Sequence, residues 1–169
     1  AANTFVQYSF TNPISALFDN GLGTIHLLEA VRFLKSMDNY NPIIGVISSS
    51  EVYGEVEKED LPITEKQLLH PLSPYAASKA YEDMLAYQYF QSWQMRIIRS
   101  RAFTQTGPRR SSTFVASGFA KQIVEIEAGI KEAVIQVGNL DSVRTFSDVR
   151  DVVRAYWSLV NMCEYGEVY

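Results

Sequence analysis

The chain has 169 residues, enough for one domain and short of two. Its 47% hydrophobic and 20% charged residues exclude a disordered or collagen-like polymer. Fifteen Lys+Arg against nineteen Asp+Glu leave a net charge of -4, the wrong sign for a general nucleic-acid binder.

Uninterrupted apolar runs stay well short of the roughly 18 residues of a membrane span, and no secretory signal is visible in the sequence. The single cysteine, Cys163, excludes an internal disulfide framework and fits a reducing, cytoplasmic setting. His26 and His70 stand far from it in sequence, so zinc-type spacing is missing and no metal is expected. The opening, Ala1-Ala2-Asn3-Thr4-Phe5-Val6, has no initiator Met, and the closing stretch from Glu164 reads as a turn entering a new strand. Both ends suggest a piece of something longer.

In chain order, Asn12-Pro13 opens a long helix to about Lys35, with Leu17, Leu22, Ile25, Leu28 and Phe33 spaced mostly three or four apart. Asp38-Asn39-Tyr40-Asn41-Pro42 is a turn cluster. Ile43 to Ile47 is a continuous apolar run, expected to be a strand buried on both faces, and it ends in Ser48-Ser49-Ser50. Residues 55–73 form a polar loop. Ser73-Pro74 starts a helix to about Trp93, with Ser as cap and Pro at its first position. Met95 to Ser100 is a second strand, followed by Thr106-Gly107-Pro108. A helix over 111–129, a short strand over 133–137 and an amphipathic helix over 147–161 complete the pattern. Helix, strand, loop, helix, strand is the rhythm of an α/β fold with parallel strands.

Ligands of open α/β sheets sit beyond the carboxyl ends of the strands. The first strand delivers three serines and Glu51 to that edge, and the next helix carries Tyr75 and Lys79 one turn apart on one face. An ammonium beside a phenol, near a positive helix N-terminus, is expected to lower the tyrosine pKa from about 10 toward neutrality. With a serine hydroxyl sharing the proton, such a trio can deprotonate an alcohol while hydride leaves its carbon. With ten tyrosines in the chain, a Tyr-x-x-x-Lys match alone is weak. The ordered combination carries the weight.

That combination resembles the extended short-chain dehydrogenase/reductases that act on nucleotide sugars. The matching runs are Gly23-Thr24-x-x-Leu27-Leu28-Glu29-Ala30, Ser48-Ser49-Ser50-Glu51-Val52-Tyr53-Gly54, Ser73-Pro74-Tyr75-x-x-Ser78-Lys79, Arg101-x-Phe103 with Gly107-Pro108-Arg109, and Arg144-Thr145-Phe146-x-Asp148-Val149-x-Asp151. Ser49-Ser50-Glu51 and the stretch 137–144 look most like the GDP-mannose 4,6-dehydratases. UDP-glucuronate decarboxylases and 4-epimerases are the rivals, and a truncated, non-catalytic dimerisation module is the reading from another class.

The resemblance implies a partial NAD(P)-binding Rossmann fold without its N-terminal glycine-loop half, which in the family precedes residue 1. Residues 1–110 would be the later part of the dinucleotide-binding domain, and 111–169 part of the small substrate domain. It implies NAD or NADP as cofactor, held at Ala1, Ala2, Ser48, Tyr75 and Lys79. Ser49, Ser50, Glu51, Tyr75 and Lys79 would be catalytic. Tyr75, helped by Ser49 and Lys79, would take the O4 proton of a nucleotide-diphosphate sugar. Glu51 would then remove the C5 proton, and water would leave from C6 with a proton from Glu51 or relayed through Ser50. Thr104, Arg109, Asn139 and Arg144 would hold the substrate, Arg144 gripping the diphosphate. Thr104-Gln105-Thr106 stands where GDP-mannose dehydratases usually carry Asn-His-Glu. Helices 13–35 and 74–93 would pair copies into a homodimer or homotetramer.

Overall fold

The computed structural model describes residues 2–169. They fall into two units, one of residues up to Phe103 together with Ala155–Tyr169, the other Thr104–Arg154.

In the first unit the helical opening carries two features, a break at Asn12 and a π-helical turn. Helix α1 (Val6–Thr11) and helix α2 (Pro13–Leu17) meet at Asn12, because Pro13 has no amide hydrogen to continue α1. A π-helical turn, Phe18–Leu22, then leads into α3 (Gly23–Asp38), which ends on Asn39 in the left-handed conformation. The expected helix from Pro13 to about Lys35 is therefore present as a continuous helical run to Asp38, with a π-helical turn inside it.

Strand β1 (Ile44–Ile47) pairs in parallel with β2 (Ile97–Ser100), Ile44 opposite Ile97 and Ile47 opposite Ser100. Helix α4 (Pro74–Trp93) connects them, its first turn capped by the Ser73 hydroxyl, which accepts from Ala76 N at 3.0 Å. The tail runs along the other side of β2, where Val168 bridges Arg99 in parallel. The tail, expected to enter a new strand, thus makes one isolated bridge to β2 rather than a strand.

The core lies between α3, α4 and this sheet. Leu28 and Val31 of α3 meet Ile44 and Val46 of β1, Ala86 and Tyr89 of α4, Met95 and Ile97. Each of the Leu, Val, Ile and Met side chains among them, fully buried, contributes about 1.5–3 kcal/mol. The expectation that β1 is buried on both faces fails: Ile44 and Val46 are buried, while Gly45 and Ile47 are exposed. An unbroken apolar run does not report which face is covered.

In the second unit, β3 (Thr104–Thr106) pairs in parallel with β4 (Phe146–Asp148), and α5 (Val115–Glu127) lies between them in sequence. Helix α6 (Val149–Met162) follows β4 directly, with Asp148 Oδ1 accepting from Arg150 N at 2.8 Å. The strand expected over 133–137 does not form. Gln122 of α5 takes up both backbone groups of Gln136 instead, accepting from its N–H at 2.7 Å and donating to its carbonyl at 3.2 Å. Those are the groups that a strand would have spent on a ladder.

Among the described residues no helix is long and apolar enough to cross a membrane, and no group of three His, Cys, Asp or Glu is arranged to hold a metal ion.

Candidate functional site

The pairing of β1 with β2 does not stop at Ile47. Ser48 N donates to Ser100 O at 2.7 Å and Ser50 N to Ala102 O at 3.0 Å, so the serine triplet leaves the sheet on a fixed track. A 3₁₀ turn, Ser50–Tyr53, follows. Gly54 closes it at φ +69, where a Cβ would overlap the His70 carbonyl, so glycine is required by conformation and by space. His70 N in turn donates to Val52 O at 2.9 Å.

These constraints place the three serines differently. Ser48 is buried and donates its hydroxyl to the carbonyl of Lys79 at 2.9 Å, tying the strand end to α4. Ser49 is also buried, and its oxygen accepts from Glu51 N at 3.2 Å. That leaves the Ser49 proton available for the oxygen of Tyr75, with which it is hydrogen-bonded. Ser50 lies at the start of the turn, half-buried, with its backbone in the Ala102 contact. Glu51 is half-buried in the same turn, and its charge acts on the Tyr75 phenol.

Tyr75 sits in the first turn of α4 and is buried. Its backbone N–H, one of the donors a helix start leaves unpaired, is taken by the hydroxyl of Ser9 at 3.1 Å. Ser9 belongs to α1, so that short helix caps the element carrying the tyrosine. Asn20 supplies a second brace. The widened π turn carries it as a buried side chain, and it donates to Ser78 Oγ at 2.9 Å and to Asn3 O at 3.2 Å while accepting from Asn3 N at 2.8 Å. Ser78 passes the contact on to Tyr75 O at 2.7 Å. Asn20 thereby fastens the segment after Ala2 to the back of α4. Ala1 lies outside the described residues. Neither Ser9 nor Asn20 was singled out from the sequence. The only local signal is a polar residue inside an apolar helical pattern.

The sequence expectation for the Tyr75–Lys79 pair is corrected. Lys79 is buried one turn beyond Tyr75, but its ammonium donates to Glu82 Oε2 at 2.8 Å. The Tyr75 phenol is pushed above its usual range rather than toward neutrality. Burial is the main cause, the Ser49 hydrogen bond opposes it, and the carboxylates of Glu82 and Glu51 add to the rise.

Next to Glu82, Asp83 is fully buried and accepts from Arg99 at 2.6 Å and from Arg101 at 2.6 Å. Arg101 also donates to Tyr53 Oη at 3.2 Å and to the Glu65 carbonyl at 3.0 Å. This network pins the turn that bears Glu51 to the middle of α4.

The second unit holds the other candidates. A cavity of about 240 Å³ is lined by Gln105, Thr106, Gly107, Pro108, Arg109, Arg110 and Val149. Gly107 lies against Val149, where any Cβ would collide. Arg109 has a left-handed backbone, and the Arg110 guanidinium stacks on Phe114 at 4.1 Å. Thr104 begins β3 and is half-buried. Asn139 is exposed and accepts from Asp141 N at 2.9 Å, the arrangement of a turn-forming side chain. Arg144 is exposed two residues before β4.

The family described as GDP-mannose 4,6 dehydratase matches residues 1–168. The chain belongs to that family. The GDP-6-deoxy-D-mannose reductase of Pseudomonas aeruginosa is 36% identical over all of this chain and 54% of its own length. The GDP-mannose 4,6-dehydratase of Sinorhizobium fredii is 31% identical over 99% of this chain and 46% of its own. Among solved structures, RMD from Pseudomonas aeruginosa, complexed with NADPH, superimposes with a TM-score of 0.93 at 37% identity over 100% of this chain and 56% of that one. A dTDP-glucose 4,6-dehydratase from Streptomyces venezuelae, with NAD bound, gives 0.85 at 25% identity over 100% and 49%. The chain spans about half the length of the relatives it matches. The architecture of this member of the GDP-mannose dehydratase family is therefore the α/β, NAD(P)-binding Rossmann type of the extended short-chain dehydrogenase/reductases.

Proposed function

We propose that the full-length protein is an NAD(P)-dependent nucleotide-sugar 4,6-dehydratase that turns a nucleoside-diphosphate hexose into its 4-keto-6-deoxy derivative. The observation that carries this reading is the pairing of two proton carriers on the first unit. Tyr75 shares a hydrogen bond with Ser49, and the Glu51 carboxylate is close enough to act on the same phenol. A simple alcohol–ketone conversion needs the tyrosine and serine. Water elimination needs a further base for the carbon next to the ketone, and Glu51 supplies it.

The residues present fit a nicotinamide dinucleotide. Lys79 and Tyr75 form a buried polar floor at the carboxyl end of β1, and Glu82 Oε1 is a buried oxygen with no hydrogen-bond partner beside them, as a site for ribose hydroxyls requires. Lys79 and Tyr75, with Ser48 behind them, would hold it, along with the segment at Ala2. The bound nicotinamide supplies hydride acceptance and return. In this reading Tyr75 Oη takes the proton of the sugar O4, and Ser49 Oγ steadies the oxygen that loses it. Glu51 removes the proton at C5, and Glu51 or Ser50 returns one to the departing C6 hydroxyl. Arg109 and Arg144 bind the diphosphate, and Thr104 and Asn139 contact the nucleotide. Two copies pair through α3 and α4, whose Phe33, Met37, Met84 and Tyr87 are exposed apolar or aromatic side chains on an otherwise ordered helical surface.

Positioned acid–base groups contribute about 10²–10⁴-fold to rate. Tyr75→Phe in the full-length protein is expected to abolish turnover of GDP-mannose, and Glu51→Gln to cut formation of the 4-keto-6-deoxy product by a factor of that order. A second reading, a reductase of a 4-keto-6-deoxy sugar nucleotide, is favoured by the Pseudomonas aeruginosa relative. It predicts that Glu51→Gln leaves turnover intact while Tyr75→Phe still abolishes it, and that reduced cofactor is consumed stoichiometrically.

A further inference from the structure

The 3₁₀ turn that carries Glu51 has only four residues, Ser50–Tyr53. Such a turn holds itself weakly, because its hydrogen bonds are few and poorly aligned. Its shape depends on what grips it from outside. Backbone grips the front, where Ser50 N donates to Ala102 O. The rear ends in Tyr53, which the chemistry proposed above does not use. Tyr53 is buried with Val52 and Ala80, and Val56, Ile63 and Leu69 pack against them. Apolar burial has no direction, and a phenylalanine would supply it equally well. The hydroxyl adds the direction: its oxygen accepts from Arg101 Nη1 at 3.2 Å, while the guanidinium carbon lies 5.3 Å from the ring centroid.

Arg101 does not rely on that contact for its own place. Its Nε donates to Asp83 Oδ2 at 2.6 Å, its Nη1 also donates to the Glu65 carbonyl at 3.0 Å, and its backbone N–H donates to Tyr169 O at 2.7 Å. Asp83 stands about two turns beyond Tyr75 on α4. The guanidinium is therefore a fixed point of the helix that carries the tyrosine, and the Tyr53 hydroxyl refers the Glu51 turn to the same point. Two proton carriers that serve one sugar, at O4 and at C5, need such a shared reference. A general base works within about 2.6–3.2 Å of its proton, and a 1 Å misplacement can cost about 10²-fold in rate. Tyr75 takes its own position from α4, from Ser9 and from Ser49, so losing the Tyr53 hydroxyl moves the carboxylate and not the phenol.

We propose that Tyr53 is a positioning residue for Glu51: its hydroxyl, held by Arg101, sets the turn against α4 and so governs proton removal at C5 while leaving the hydride step from C4 alone. The inference rests on the reading of Glu51 as the C5 base.

The test mixes the full-length protein, carrying oxidised cofactor, with excess GDP-mannose. Near-ultraviolet absorbance follows the reduced nicotinamide, and the 4-keto-6-deoxy product is counted separately. Tyr53→Phe is expected to reduce the cofactor at the parent rate, within about twofold, and to form product about tenfold more slowly, so that reduced cofactor accumulates. The double variant Tyr53→Phe/Glu51→Gln should be no slower than Glu51→Gln alone, because the hydroxyl acts only through the carboxylate. A folded Tyr53→Phe protein that forms product at the parent rate overturns the proposal. So does one in which both steps slow equally, since that is the mark of a purely structural role. If Tyr53→Phe does not fold, Tyr53→Met, which fills the space flexibly without a hydroxyl, carries the same expectation and the same refutation. Failure of both variants to fold also overturns the proposal, because the hydroxyl would then serve stability. Failure of the parent reading looks different: Glu51→Gln would itself form product at the parent rate, whatever Tyr53→Phe does.

Discussion

Two acidic residues stand next to each other on α4, both buried, and they are treated in opposite ways. Asp83 receives two guanidinium groups on its two oxygens, and Arg101 carries the contact on to Tyr53 and to the Glu65 carbonyl. Burial works against the Arg101 charge, yet the hydrogen bonds to Asp83 and Tyr53 outweigh it and its pKa rises. Glu82 receives one ammonium and leaves an oxygen empty, and burial drives its pKa upward. The difference is that between a carboxylate whose hydrogen-bonding capacity is filled, which can fix a structure, and one whose capacity is half filled, which is free to respond. The fixed one lies under the turn that carries Glu51, and the responsive one lies beside the lysine.

The sharpest way to break this contrast is to remove the charge from the filled partner. Asp83→Asn strands two buried arginines and is expected to cost about 3–5 kcal/mol, measured by denaturant unfolding of the full-length protein. A loss below about 1 kcal/mol, the scale of a surface ion pair, would put Asp83 in the same class as Glu82.

A third carboxylate, Glu29 on α3, sharpens it from the exposed side. Arg32 binds it through Nε and Nη2, one to each oxygen, and Tyr89 of α4 donates to it at 2.6 Å. The Arg32 hydrogen bond, then the Tyr89 one, holds the Glu29 carboxyl at about 2, and burial followed by the Glu29 contact pushes the Tyr89 phenol up to about 12. A depressed carboxyl contributes stability above its unfolded value of 4.5 that is lost as pH falls toward 2. Tyr89→Phe is expected to lower the melting temperature by a few degrees at neutral pH. It should also flatten the stability–pH curve in that acid window, because less of the shift remains to be lost. An unchanged acid slope would assign the whole effect to Arg32.

The smallest expected change is at the half-filled pair. The double variant Lys79→Met/Glu82→Leu replaces two buried charges by side chains of similar volume. It is expected to hold or raise stability, with no loss greater than about 1 kcal/mol, while turnover disappears. A loss on the scale of Asp83→Asn would show that the pair is an anchor after all.

Much of this site was legible in the chain itself. Ser73-Pro74 announces the start of α4, because a side-chain cap and a residue with no amide hydrogen both suit a helix start. The positive φ of Gly54 is a local backbone need, while the His70 carbonyl that crowds it comes from a distant segment. The strands β3 and β4 were not legible. They are three residues each, lie about forty residues apart and show no alternation, so their pairing is settled by contact between distant segments. Asn20 escaped for a related reason, since its partners Asn3 and Ser78 lie 17 and 58 positions away.

The order of motifs, the spacing of Tyr75 and Lys79 and the placing of Glu51 after a parallel strand were determined by the sequence alone, because each depends on residues within a turn or two of one another. Tertiary structure alone decided which charge the Lys79 ammonium faces. Tyr75 and Glu82 are both within its reach on the helix, and burial against the strand end, which removes water as a competitor, gives the lysine to the carboxylate.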